Sequence, residues 1–149
     1  MKLKELIGSK IIEVKYHYSP SNEYQLQEFY SYILLNNGLI FSFPTYEDES
    51  NFDSIESQEY FNNKFKTGSK ISNKVKPLIV GQKISNLHFP YFQDEPDDDE
   101  KAFIELENGY FISETNYGPQ GVSNVDLKII TKEKFNSLIG KDTKFKPLN

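Results

Sequence analysis

Leu6-Ile7-Gly8-Ser9-Lys10-Ile11 returns 73 residues later as Ile79-Val80-Gly81-Gln82-Lys83-Ile84, and this echo decides the fold. Working outward, Val14 and Tyr16 return as Leu87 and Phe89. Tyr32-Ile33-Leu34-Leu35-Asn36-Asn37-Gly38 with Ser42 returns as Phe103-Ile104-Glu105-Leu106-Glu107-Asn108-Gly109 with Ser113, now 71 residues on. Tyr46 and Tyr117 keep the spacing of 71, and Asn51-Phe52-Asp53 matches Asn124-Val125-Asp126 at 73. Several ordered blocks at nearly one spacing predict an internal duplication, with repeat 1 over about residues 1–73 and repeat 2 over about 74–140.

Each unit reads as a short helix followed by strands. Leu3, Leu6 and Ile7 before Gly8, and Val75, Leu78 and Ile79 before Gly81, have helical spacing with glycine where a helix closes; Pro77 shortens the second. Lys10 to Tyr18 and Lys83 to Phe92 are rich in β-branched and aromatic residues and read as strands. Asn37-Gly38 and Asn108-Gly109 each separate two further apolar runs, predicting hairpins with type I′ turns. Alternation then expects Ile12, Val14, Ile33 and Leu35 to share a buried face with Ile84, Leu87, Ile104 and Leu106. The predicted fold is α+β: two tandem repeats of a short helix plus a three-stranded meander, packed as one pseudo-symmetric domain over residues 1–149. Ile55, Tyr60, Phe61 and Phe65 suggest a loose amphipathic helix, and Lys64 to Lys76 a polar connector. Thr131 opens a last helix with Phe135, Leu138 and Ile139 toward the core and Gly140 closing it, and residues 141–149 read as a tail.

At 149 residues the chain suits one domain. Its 37% hydrophobic and 15% aromatic content is too rich for a disordered chain, and no apolar run suggests a membrane span. The N-terminus carries no secretory pattern, so a cytoplasmic location is expected. The chain has no Cys, which excludes disulfides, thiolate metal sites and Cys nucleophiles. All 17 basic residues are Lys; without Arg there are no bidentate clamps for phosphate or guanine, and a net charge of −5 argues further against nucleic acid.

No catalytic signature is present. His17 and His88, the two histidines, occupy unmatched repeat positions, which excludes a symmetric metal site; a small enzyme or ligand domain using one of them between the repeats is the alternative reading. Gly118-Pro119-Gln120-Gly121 lacks a phosphate-loop pattern and reads as a surface turn with Tyr117 at its base. The conspicuous feature is Asp94-Glu95-Pro96-Asp97-Asp98-Asp99-Glu100, which lacks the spacing of a calcium loop. No metal or organic cofactor is expected.

Charge is also segregated along the chain. Between Tyr16 and Asn63 there is no Lys against eight acids, Glu47, Asp48 and Glu49 among them; from Gln93 to Asp126 ten acids face Lys101 alone. Such a field steers a basic partner. Loop tyrosines Tyr24, Tyr46, Tyr91 and Tyr117 lie among these acids, and Tyr46 and Tyr117 are the candidate anchors. The candidate partner surface is therefore Glu47, Asp48, Glu49, Asp94, Glu95, Asp97, Asp98, Asp99 and Glu100 with Tyr46 and Tyr117. In this general character, small, acidic and Cys-free with aromatic and carboxylate loops, the chain resembles bacterial immunity proteins that cap polymorphic or contact-dependent toxins. The resemblance implies a non-catalytic protein that occludes the active surface of a basic toxin domain.

Overall fold

The computed structural model describes residues 3–19, 28–45, 53–114 and 127–149. It is a mixed α/β fold, mostly antiparallel sheet with few helices. After a 3-10 turn at Leu3–Leu6 come β1 (Ile11–Ser19), β2 (Glu28–Leu35), β3 (Ile40–Ser42), α1 (Ile55–Thr67), β4 (Ser69–Lys70) and α2 (Lys76–Ile79). Then follow β5 (Ile84–Phe92), β6 (Glu95–Pro96), β7 (Phe103–Leu106), β8 (Phe111–Glu114), β9 (Leu127–Ile130), α3 (Lys132–Ser137) and β10 (Thr143–Pro147). The first sheet runs β3-β2-β1-β4; the second runs β10-β5-β7-β8-β9, with β6 on β5.

The sheets meet through reciprocal backbone bonds around the echoed motif. Gly8 N–H donates to Ile84 O at 2.7 Å while Gly81 N–H donates to Ile11 O at 2.8 Å. Ile11 N–H reaches Gln82 O and Ile84 N–H reaches Ser9 O, both at 2.9 Å, and Lys10 bridges Lys83. Leu3, Leu6, Ile11, Val14, Ile33 and Leu35 share one core with Ile79, Ile84, Leu87, Ile104, Leu106 and Ile112. A second cluster of Phe103, Phe111 and Phe135 lies on the other side of the second sheet, with the rings of Phe111 and Phe135 stacked at 4.2 Å.

Five expectations are corrected. Ile12 is 44% exposed, because β1 carries a bulge between Ile11 and Glu13 that shifts the alternation, so Ile11 points inward in its place, beside Val14, which is buried as expected; β5 has a matching bulge between Ile84 and Asn86. The Asn-Gly turns are not type I′. Gly38 and Gly109 have φ of 88° and 90°, while no asparagine among the described residues has positive φ. Gly38 N–H donates to Leu35 O, and Leu35 N–H donates to Leu39 O; Gly109, Leu106 and Tyr110 repeat the pattern. Each loop is thus a three-residue type I turn ending in a glycine bulge.

The third correction concerns α3, which stops at Ser137. It leaves Leu138 and Ile139 exposed, and Gly140 N–H instead closes a turn by donating to Thr143 O at 2.9 Å. Lastly, residues 141–149 are not a tail. Thr143 to Pro147 pair with β5 from Phe92 to His88, Leu148 N–H donates to Leu87 O at 2.8 Å, and Asn149 and Asn86 bond each other. The polar connector also shortens: α1, N-capped by the Ser54 hydroxyl, runs through Lys64 to Thr67.

Candidate functional site

The acidic run folds as a hairpin. β6 returns along β5, pairing Phe92 with Glu95 and Tyr91 with Pro96. Gln93 and Asp94 make the two-residue turn at φ 51° and 65°, so the primed geometry predicted for Asn-Gly is found here, without glycine. Gln93 N–H is held by Asp142 O at 2.7 Å. Beyond the hairpin Asp97 N–H donates to Pro90 O at 3.0 Å, the Asp97 carboxylate accepts from Asp99 N–H at 3.3 Å, and Glu100 N–H donates to Asp97 O at 3.3 Å. A stretch that would repel itself in solution is thereby pinned. Asp94 meets Lys144 at 3.4 Å, an exposed pair that contributes little to stability.

Between this hairpin, α3 and β10 lies a groove of about 330 Å³. Its apolar side is Pro90, Tyr91, Phe92, Phe103, Leu138 and Phe145, and its polar side is Asp97, Glu100, Lys101, Lys128 and Thr143. Phe92 is 49% and Leu138 39% exposed, so the groove offers large apolar side chains beside carboxylates. Glu100 stays exposed at the groove's edge, yet partial desolvation there pushes its carboxyl above the ordinary pKa, with Asp97 and Asp99 adding to the rise and the Lys128 ammonium opposing it. The lining is therefore not uniformly acidic. Lys101 is turned toward the ring of Tyr30, 5.9 Å from its centroid, and Lys146 lies 4.4 Å over Tyr91.

Of the candidate surface, Asp94, Glu95, Asp97, Asp98, Asp99 and Glu100 stand on and just beyond this hairpin, and Asp97 and Glu100 line the groove. Tyr46, Glu47, Asp48, Glu49 and Tyr117 lie outside the described residues. The two histidines are on different sheets, each with a local partner. His17 Nε2 lies 2.7 Å from the Lys64 carbonyl, so that nitrogen donates and caps the end of α1. His88 Nε2 meets Glu105 at 2.8 Å, and its ring packs against Phe111 and Phe135. Among the described residues no three acids or histidines converge as metal ligands, and no helix is long and apolar enough to cross a membrane.

Set beside known protein families, curated proteins and solved structures, the chain matches none. Its own geometry must supply the functional reading.

Sequence reasoning missed a buried acid. Glu114 ends β8 at 3% exposure, and its carboxylate accepts from Ser31 N–H of β2 at 2.7 Å, tying one sheet to the other. Its charge is felt nearby: the Tyr30 and Tyr32 phenols are held above their ordinary pKa, first by desolvation, with Glu114 contributing to both and a Tyr60 hydrogen bond acting on Tyr32. The repeat register holds the signal that would have found it. Glu114 stands 71 residues after Phe43, a fully buried core residue, so an acid replaces an apolar group in the echo.

Proposed function

We propose that the chain is a non-catalytic, cytoplasmic protein-binding module that docks a basic partner on an acidic surface, as bacterial immunity proteins do when they cap a toxin domain. The observation that carries this reading is the acidic run, held on an ordered hairpin beside a groove with exposed Phe92 and Leu138. A backbone already held in place loses little further freedom on binding, and adjoining apolar side chains supply the desolvated contact that gives a complex its lifetime. Glu47, Asp48 and Glu49, with Tyr46 and Tyr117, are the proposed remainder of that surface. The lack of arginine and the net charge of −5 favour a basic protein over nucleic acid.

We also read the chain as a tandem duplication with a pseudo-two-fold axis at the Lys10–Lys83 bridge. Supporting it are the exchanged Gly8–Ile84 and Gly81–Ile11 bonds, the bulges at corresponding places in β1 and β5, and the two like turns at Gly38 and Gly109. On this reading β10 is the counterpart of β4, and the second unit extends to Pro147.

The test is binding kinetics against a panel of basic proteins, nuclease domains among them, at low and at moderate salt. Steering by the acidic hairpin should make association fall with salt and slow further in an Asp97/Asp98/Asp99→Asn variant. Equal binding by that variant, or wild-type association indifferent to salt, would reduce the run to a solubilising surface.

A further inference from the structure

Asn37-Gly38 and Asn108-Gly109 both stand exposed at hairpin tips. Glycine has no Cβ, so its backbone nitrogen is open to the side-chain amide of the residue before it. The two turns share most of their hydrogen bonds. Gly38 N–H donates to Leu35 O at 3.0 Å and Gly109 N–H to Leu106 O at 2.9 Å. Asn37 Oδ1 accepts from Leu39 N–H at 3.1 Å and Asn108 Oδ1 from Tyr110 N–H at 3.2 Å. Just before them, Asn36 Oδ1 accepts from Lys10 N–H at 3.2 Å and Glu107 Oε1 from Lys83 N–H at 3.3 Å. The turns differ at a single atom. Asn108 Nδ2 donates to Leu78 O at 2.9 Å, which fastens its side chain to α2, whereas no described residue accepts from Asn37 Nδ2.

We infer that Asn37 is a site of spontaneous deamidation and that the Leu78 carbonyl guards Asn108 against the same reaction. The Gly38 nitrogen attacks Asn37 Cγ and gives up its proton to solvent. The new C–N bond closes a succinimide ring as the Cγ–Nδ2 bond breaks, and Nδ2 leaves, protonated, as ammonia. Water then opens the ring at either carbonyl, giving aspartate, or isoaspartate with Cβ inserted in the main chain. For Cγ to reach the glycine nitrogen the side chain must leave its anchors, one hydrogen bond at Asn37 and two at Asn108. The glycine N–H bond has to loosen in both turns alike and does not separate them. One extra hydrogen bond slows the step roughly fivefold. Aspartate at position 37 keeps an acceptor for Leu39 N–H and adds a negative charge, while isoaspartate lengthens the loop between the buried Leu35 and Ile40. The acidic docking surface plays no part in this inference.

The test incubates the full-length chain in warm, mildly alkaline buffer, folded and in parallel in concentrated urea. Peptide mass spectrometry follows conversion at each asparagine, and enzymatic methylation counts isoaspartate. In the folded chain Asn37 should convert roughly fivefold faster than Asn108. In urea both anchors are gone and glycine follows each asparagine, so the two rates should become nearly equal. Asn37→Gln should remove the fast phase and leave the slow one at Asn108. Equal rates in the folded chain, or a faster Asn108, would overturn the inference. So would a ratio that persists in urea, because local sequence would then set it, and so would a folded Asn37 that stays intact while the unfolded chain converts.

Discussion

Replacing Gly38 or Gly109 by alanine isolates a backbone term from a packing term. Both glycines have strongly positive φ, yet a Cβ built on either meets nothing within 4 Å. The cost is therefore conformational, about 1–2 kcal/mol for forcing an L side chain into left-handed backbone. For a domain of this size that is roughly 2–8 °C of melting temperature per substitution. The two turns belong to different sheets, so their costs should add. Gly140 is the internal control: its Cβ also meets nothing within 4 Å, but its φ lies outside the positive region. Gly140→Ala should be neutral or stabilise by about 0.4–1 kcal/mol through the unfolded chain. Urea unfolding, with the slope against denaturant unchanged, gives the three free energies. The turn assignment fails if Gly38→Ala and Gly109→Ala are as harmless as Gly140→Ala. It fails differently if Asn37→Ala costs as much as Gly38→Ala, because only a type I′ turn demands positive φ of the asparagine.

Two further outcomes are expected. Ile11→Ala should cost about 2–5 kcal/mol and Ile12→Ala well under about 1, since the bulge buries the first side chain and exposes the second; comparable losses in chemical denaturation would erase the bulge. Because the folded Glu100 carboxyl is raised above its unfolded pKa, the folded state binds the extra proton, and this group lowers stability as pH rises from the ordinary carboxylate range through the folded value. Glu100→Gln should flatten that part of the stability profile, and an unchanged slope between wild type and variant would refute the desolvation argument.

The meander strands were legible because each is bounded by turn residues and alternates over several positions, so one buried face could be read from Val14, Ile33, Leu35, Leu87, Ile104 and Leu106. Ile11 and Ile12 defeat the same reasoning. Both are apolar and β-branched, and nothing in a run of period two announces the extra residue that a bulge inserts. β10 misled for a different reason. Thr-Lys-Phe-Lys-Pro looks like a solvated tail, but lysine and proline are also what protects an edge strand from pairing with other chains. An edge strand and a tail can therefore share one composition, and only the partner, here Phe92 to His88, separates them.

The candidate site was half legible for a related reason. The acids at Asp94–Glu100 are visible in any count of charge, but their value as a surface depends on the turn at Gln93 and Asp94, where neither residue is the glycine that positive φ usually recruits. The groove beside them is silent in the sequence because its walls are assembled from β5, β7, β9 and β10, far apart along the chain. α3 stops at Ser137, and the exposed Leu138, which reads as part of the last turn of a core-facing helix, becomes part of the groove's wall. The buried Glu114 escaped for a different reason: it stands at the spacing of 71 from buried Phe43, so an acid departs from the sequence echo where Ser31 ties the two sheets. Under the proposed duplication, a position where one copy carries a buried acid and the other a core ring is the first place to look for function.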